Sequence, residues 1–86
     1  MRSLDIFSED RKKDMLAAYS LSADYNYTQR EIAEILNYSL GTVNGWIKDI
    51  QSKLYQKSVR DQLLINQHYT IDLLNSFIQK KIDEEC

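Results

Sequence analysis

The stretch TQREIAEILNYSLGTVNGWIKDI, residues 28–50, contains two helical patterns with almost no chain between them. Thr28 and Glu31 form the Thr-x-x-Glu pattern of a capping box, which predicts that a helix begins here. Asn37 is suited to end that helix, because asparagine tolerates the left-handed backbone conformation of helix C-termini. Ser39 is then the expected cap of the next helix. The sequence therefore predicts two short helices joined by a turn of about three residues.

The rest of the chain also favours helices. Its 86 residues include two glycines and no proline, the two residue types that most often interrupt regular structure. We expect helices over about residues 8–21, 28–37 and 40–57, the first capped by Ser8. The loop between the first two helices covers residues 22–27.

A last helix is predicted from Ser58 to Ile82, with a break near residues 66–70 and a new cap at Thr70 as an alternative. Its apolar residues cover more than one face, and a helix that is apolar on two sides is normally covered on two sides. One side is expected to pack on the first three helices and the other to meet a second copy of the chain. The residues assigned to that oligomer interface are Leu64, Ile71, Leu74, Ile78 and Ile82.

The predicted fold class is all-α. Residues 1–57 are expected to form a three-helix core with a helix-turn-helix, and residues 58–86 a C-terminal helical segment for oligomerisation. A chain of 86 residues is short for a stable core of its own, and association is a common remedy.

The third helix has two contrasting faces when it is turned by about 100° per residue. Its apolar face is expected to be core and consists of Leu40, Val43, Trp46, Ile47, Ile50 and Leu54. Small and polar residues occupy the opposite face and its flanks, namely Gly41, Thr42, Asn44, Gly45, Lys48 and Ser52. We expect this second face to be open to a ligand.

The segment QREIAEILNYSLGTVNGWIK resembles the helix-turn-helix of prokaryotic DNA-binding proteins. Ala33 matches the small residue where the two helices cross, and Val43 and Trp46 match buried positions of the recognition helix. The sequence of this segment is similar to sequences in bacterial and phage regulators, in region four of sigma factors and in the DNA-binding domain of phage small terminase subunits. The resemblance is strongest over residues 28–48 and implies a DNA-binding fold.

Each part of this segment has chemistry suited to double-stranded DNA. The backbone amides of Gln29 and Arg30 at a helix N-terminus can hold one phosphate, and an α-helix fits the major groove. Asn44 is suited to adenine, and the two glycines permit close approach. The candidate DNA-binding residues are Thr28, Gln29, Arg30, Ser39, Gly41, Thr42, Asn44, Gly45, Lys48 and Lys53.

The distribution of charge places any DNA contact in the first two thirds of the chain. The net charge is −2. Lys and Arg exceed Asp and Glu by one over residues 1–60, whereas the acidic residues exceed the basic ones by three over residues 61–86. Arg and Lys are sparse on the third helix, where Lys48 has Asp49 beside it.

No pattern points to catalysis, a metal or a cofactor. The chain has one histidine, His68, and one cysteine, Cys86, and it lacks a phosphate-binding loop. We therefore expect a protein that is not an enzyme. The N-terminus lacks an apolar run of signal-peptide length, which favours a cytoplasmic protein without a membrane contact.

The leading functional prediction is a bacterial or phage transcriptional regulator that binds a near-palindromic site as a dimer. Its two recognition helices would enter major grooves about 34–36 Å apart. One alternative is a DNA-recognition subunit that forms a ring, similar to a phage small terminase subunit. Another is an adaptor or inhibitor that keeps the helix-turn-helix scaffold and binds a protein partner instead of DNA.

Overall fold

The computed structural model describes residues 9–85, and this part of the chain contains helices and no strand. The predicted all-α class is therefore confirmed. Ser8 and Cys86 lie outside the described residues. The five helices are α1 (Glu9–Ala23), α2 (Gln29–Leu36), α3 (Leu40–Ser52), α4 (Lys57–Ile65) and α5 (Gln67–Glu85).

Helix α1 lies at the centre of the molecule. It contacts each of the other four helices and packs most extensively against α3. The four consecutive residues 15–18 are all buried, which requires neighbours on several sides of the helix. The core consists of Met15, Leu16, Ala17, Ala18, Leu21, Ile32, Leu36, Val43, Trp46, Ile47, Ile50, Val59 and Leu74. Because Val59 and Leu74 belong to this cluster, the two predicted segments share one core.

Helix α3 ends at Ser52, several residues before the predicted end near Lys57. The Ser52 hydroxyl donates to the carbonyl of Asp49 at 2.7 Å, and the Lys53 N–H turns to the Ile50 carbonyl at 3.0 Å. These bonds replace the continuing helical pattern with a tighter turn. The chain then reaches Gln56, where α4 is about to begin.

The predicted start of the last helix was misplaced. Helix α4 begins at Lys57 with Gln56 at the N-cap, and no side chain caps it. Ser58 lies inside the helix, so its hydroxyl is not the cap. An ion pair between Lys57 and Asp61, at 3.2 Å, spans the first turn instead.

The predicted break in the C-terminal region lies at Asn66, between α4 and α5. The Asn66 amide donates to the carbonyl of Lys13 at 3.0 Å and so fastens the junction to α1. Thr70 does not cap a new helix. It is buried within α5, and its hydroxyl donates to the carbonyl of Asn66 at 3.3 Å.

Candidate nucleic-acid interface

The start of α2 is held by the predicted capping box. The Thr28 hydroxyl oxygen accepts from the Glu31 N–H at 3.1 Å, and the Glu31 carboxylate accepts from the Thr28 N–H at 2.9 Å. Gln29 and Arg30 follow the cap and are exposed. Backbone amides in the first turn lack carbonyl partners within the helix, so this end of α2 can accept an anion.

The turn between α2 and α3 depends on Asn37. Its backbone adopts the left-handed conformation, with φ 62° and ψ 45°, as the sequence predicts. The backbone N–H of the next residue, Tyr38, donates a hydrogen bond to the carbonyl of Ala33 at 3.1 Å. The Tyr38 ring also meets the edge of the Trp46 ring, with the ring centres 4.6 Å apart. The turn is therefore fixed to both helices.

Ser39 caps α3, as predicted. Its side-chain oxygen accepts from the Thr42 N–H at 3.2 Å, and its hydroxyl lies 2.8 Å from the Thr42 hydroxyl. The inner face of α3 is buried through Val43, Trp46, Ile47 and Ile50. Leu40 was assigned to this face but is 44% exposed, because the first turn of α3 projects beyond the core.

The opposite side of α3 is open. Gly41, Thr42, Gly45 and Lys48 are exposed, and Asn44 is half-buried. A β-carbon added at either glycine would meet no described neighbour within 4 Å. The small residues are therefore not needed for packing inside the described chain. We call Gly41, Thr42, Asn44, Gly45 and Lys48 the open face of α3.

Lys53, a candidate DNA-binding residue, follows the end of α3 and lies outside the open face. Its ammonium lies 2.6 Å from the Asp49 carboxylate, and its side chain is 13% exposed. The stem of Lys53 follows the surface of the molecule, as long basic side chains often do. The other nine candidate DNA-binding residues lie at the start of α2 or along the first three turns of α3.

Sequence patterns did not reveal a cluster behind the turn. The Asp14 carboxylate accepts from the Tyr38 hydroxyl at 3.0 Å and from the Tyr69 hydroxyl. The cluster joins α1, the turn and α5. These residues lie 24 and 55 positions from Asp14, and no local spacing signals such a contact.

The two tyrosines of this cluster are kept in the neutral form. The hydrogen bond to Asp14, followed by burial, raises the pKa of Tyr38 above its usual value. For Tyr69, burial is the larger cause of a raised pKa, and the hydrogen bond to Asp14 adds to it. A tyrosinate beside the carboxylate would lose the hydrogen bond and gain repulsion. The cluster therefore stabilises the turn at ordinary pH.

Four of the five residues assigned to the oligomer interface are exposed. The exposed fraction is 67% for Leu64, 41% for Ile71, 47% for Ile78 and 49% for Ile82. Leu74 is an exception, because it is buried in the core of its own chain. Ile65, which the interface assignment omits, is 77% exposed.

No protein-family model matches the chain, and no curated protein or solved structure shows significant similarity to it. Within residues 9–85 there is no cluster of three or more histidine, cysteine and acidic residues that could hold a metal ion. None of the helices described here is both long enough and apolar enough to cross a membrane.

Proposed function

We propose that the protein binds double-stranded DNA as a homodimer and serves as a transcriptional regulator of a bacterium or phage. Helix α2, the turn and α3 act as a helix-turn-helix. The open face of α3 enters the major groove, and the first turn of α2 meets a phosphate. The observation that carries this proposal is the contrast between the two sides of α3, one buried and the other small, polar and largely exposed.

The dimensions and chemistry of α3 support this placement. The major groove is about 12 Å wide and admits an α-helix of about 10–12 Å diameter. Asn44 can offer its amide to the two hydrogen-bonding groups of adenine, and Lys48 can meet a phosphate. The glycines add no side chain between the helix backbone and the groove. Gln29 and Arg30 follow the Thr28 cap and are exposed.

The dependence of binding on salt tests this proposal. Binding to a site selected from random DNA is measured by fluorescence anisotropy at about 50 and 200 mM salt. Two to four phosphate contacts in the dimer predict a loss of affinity of about 10- to 150-fold between these concentrations. Affinity that does not change with salt, or no binding to any selected DNA, would contradict the proposal.

Two substitutions locate the contact surface. Asn44→Ala is expected to weaken binding to the selected site by about 5- to 150-fold and binding to random DNA much less. Lys48→Ala is expected to weaken both and to reduce the salt slope by about one for each subunit. Lys80→Ala removes an exposed lysine of α5 and serves as the charge-matched control. Unchanged affinity in both α3 variants rejects the open face as the contact surface.

A second candidate function is that of a protein–protein adaptor or inhibitor. The observation that favours it is the sparse charge of α3, whose single basic residue is Lys48. Lys53 is paired with Asp49 and therefore adds little positive electrostatic potential to that face. In this case the open face would pack against a helix of a partner, and DNA would not be retained at any salt concentration.

A further inference from the structure

Helix α5 carries a second regular pattern on its outside. His68, Ile71, Asn75, Ile78 and Ile82 follow one another at alternating steps of three and four residues, and all five are exposed. This is the spacing of positions a and d in a heptad, with Ile71 and Ile78 at d. We call these five residues the α5 seam. The neighbouring Thr70 and Leu74 face the core, so α5 has one buried side and one free side.

The composition of the α5 seam matches a second copy of itself. None of its five residues is an acid, a lysine or an arginine, although α5 carries Asp72, Lys80, Lys81 and Asp83 at other positions. Two copies can therefore meet without burying like charges. Asn75 is the polar residue near the middle, and its side-chain amide contains both a donor and an acceptor. A seam of this kind is self-complementary.

Asn75 also favours one direction of pairing. In a parallel pair each residue of the seam meets its own counterpart, so the two Asn75 amides can hydrogen-bond to each other. In an antiparallel pair position a meets position d, and Asn75 would lie against the partner's Ile78 in two layers. An amide buried against a hydrocarbon side chain loses its hydrogen bonds with water without replacement. A single asparagine at position a is known to set register for this reason.

We propose that two copies of this chain pair through parallel α5 helices, with the three isoleucines of the seam in contact and Asn75 bonded to its counterpart. This inference deepens the homodimer of the proposed function and rests on it for the biological role of the pair. Parallel pairing places both α3 helices at the same end of the dimer. Two half-sites about 34–36 Å apart on one side of DNA are compatible with such an arrangement.

Cysteine cross-linking tests the direction of pairing, in a Cys86→Ser background of the full chain. Ile78→Cys is expected to form a covalent dimer on mild oxidation, because each position meets its counterpart. Ser76→Cys, an exposed position rotated about 100° from Asn75 around α5 and outside the seam, is the matched control and is expected to stay monomeric on a non-reducing gel. Equal cross-linking of the two variants would reject the α5 seam as the contact between the two copies.

A mixing experiment separates the parallel from the antiparallel arrangement. Chains of different tag length carry Ile71→Cys or Ile82→Cys, two positions that would meet each other in the antiparallel pair, and are oxidised together, so that Asn75 is kept. Parallel pairing yields products that link identical variants, whereas antiparallel pairing yields mainly mixed products. A predominance of mixed products overturns the proposed direction.

Mass in solution tests whether the seam causes association. Ile78→Asp is expected to weaken self-association by about 100-fold or more, because it would bury unpaired carboxylates. Ser76→Asp is expected to leave the mass unchanged by light scattering, and far-UV circular dichroism checks that both variants remain helical. A monomeric wild-type chain, or an assembly of three or more copies, would overturn the pairing.

These measurements are independent of DNA. A cross-linked Ile78→Cys dimer that binds no DNA would leave the pairing intact and reject the proposed function. DNA binding by a chain that remains a monomer and does not cross-link would do the reverse. The two proposals can therefore fail separately.

Discussion

The α2–α3 unit and the α4–α5 region differ in how their helices are held. Side chains cap both α2 and α3, whereas the N-cap residue of α4, Gln56, forms no side-chain cap. The apolar residues of α2 and α3 are largely buried, with Leu40 as the exposed large one. The α4–α5 region contributes Val59 and Leu74 to the core and leaves five large aliphatic residues exposed, Leu64, Ile65, Ile71, Ile78 and Ile82.

This difference separates two uses of apolar surface. In the α2–α3 unit, apolar side chains stabilise the monomer and leave the outer face to small and polar residues. In the α4–α5 region, much of the apolar surface has no neighbour within the described chain. Large exposed apolar patches on a small protein usually mark an interaction surface. The comparison predicts that substitutions in the first region change stability, whereas those in the second change association.

The largest expected effect on stability comes from Ile32→Ala. Ile32 is fully buried on α2, and truncation of a buried isoleucine typically costs about 2–5 kcal/mol. Leu64→Ala, on the exposed side of α4, is expected to change the free energy of unfolding by less than about 0.5 kcal/mol in dilute solution. Urea denaturation of both variants at low protein concentration measures the difference. Similar losses would remove the distinction between the two regions.

The helix starts and the turn could be predicted because their causes are local. Thr28 and Glu31 are three residues apart, and the capping box needs no other part of the chain. Asn37 likewise adopts a conformation that its own side chain tolerates. The early end of α3 was not predicted, because the change to tighter backbone bonds at Lys53 and Leu54 has no local sequence signal.

The placement of the candidate site residues divides in the same way. The period of α3 correctly separated Val43 and Ile50 from the open face. The period of α3 could not show that the Lys53 side chain pairs with Asp49, since that depends on side-chain orientation at the end of the helix. The burial of Leu74 within its own chain was not predicted, because an apolar residue does not indicate which neighbour covers it. A contact between residues four positions apart decided the first outcome, and packing of α5 on the core decided the second.

A smaller effect is expected from Tyr69→Phe, which removes the hydrogen bond between α5 and Asp14 of α1. The variant keeps the ring and loses the hydrogen bond to Asp14. Hydrogen bonds to charged groups contribute about 1.5–3 kcal/mol, so we expect a loss of about 1–2 kcal/mol at this half-buried site. Tyr19→Phe, a half-buried tyrosine of α1, is the matched control and is expected to change stability less.

The same substitution predicts a dependence on pH. The folded state raises the pKa of Tyr69 above that of an unfolded tyrosine, which is about 10. The stabilisation is therefore fully present below about pH 10 and is lost as the pH rises towards the folded pKa. The difference in stability between wild type and Tyr69→Phe should be constant from about pH 7 to 9 and shrink above pH 10. A difference that grew at alkaline pH would contradict the assigned hydrogen bond.

The smallest expected effect on stability has the most specific consequence for function. Gly45 lies inside α3, and alanine there meets no described neighbour within 4 Å. Gly45→Ala is therefore expected to stabilise the fold by about 0.5–1 kcal/mol, since glycine inside a helix is less favourable than alanine. If the open face lies against DNA, the added methyl group should weaken binding by several-fold while the melting temperature rises. Because these two changes have opposite signs, a general loss of folding cannot produce them. A variant that is more stable and binds the selected DNA as tightly as wild type would show that the glycines of α3 do not serve close approach to the groove.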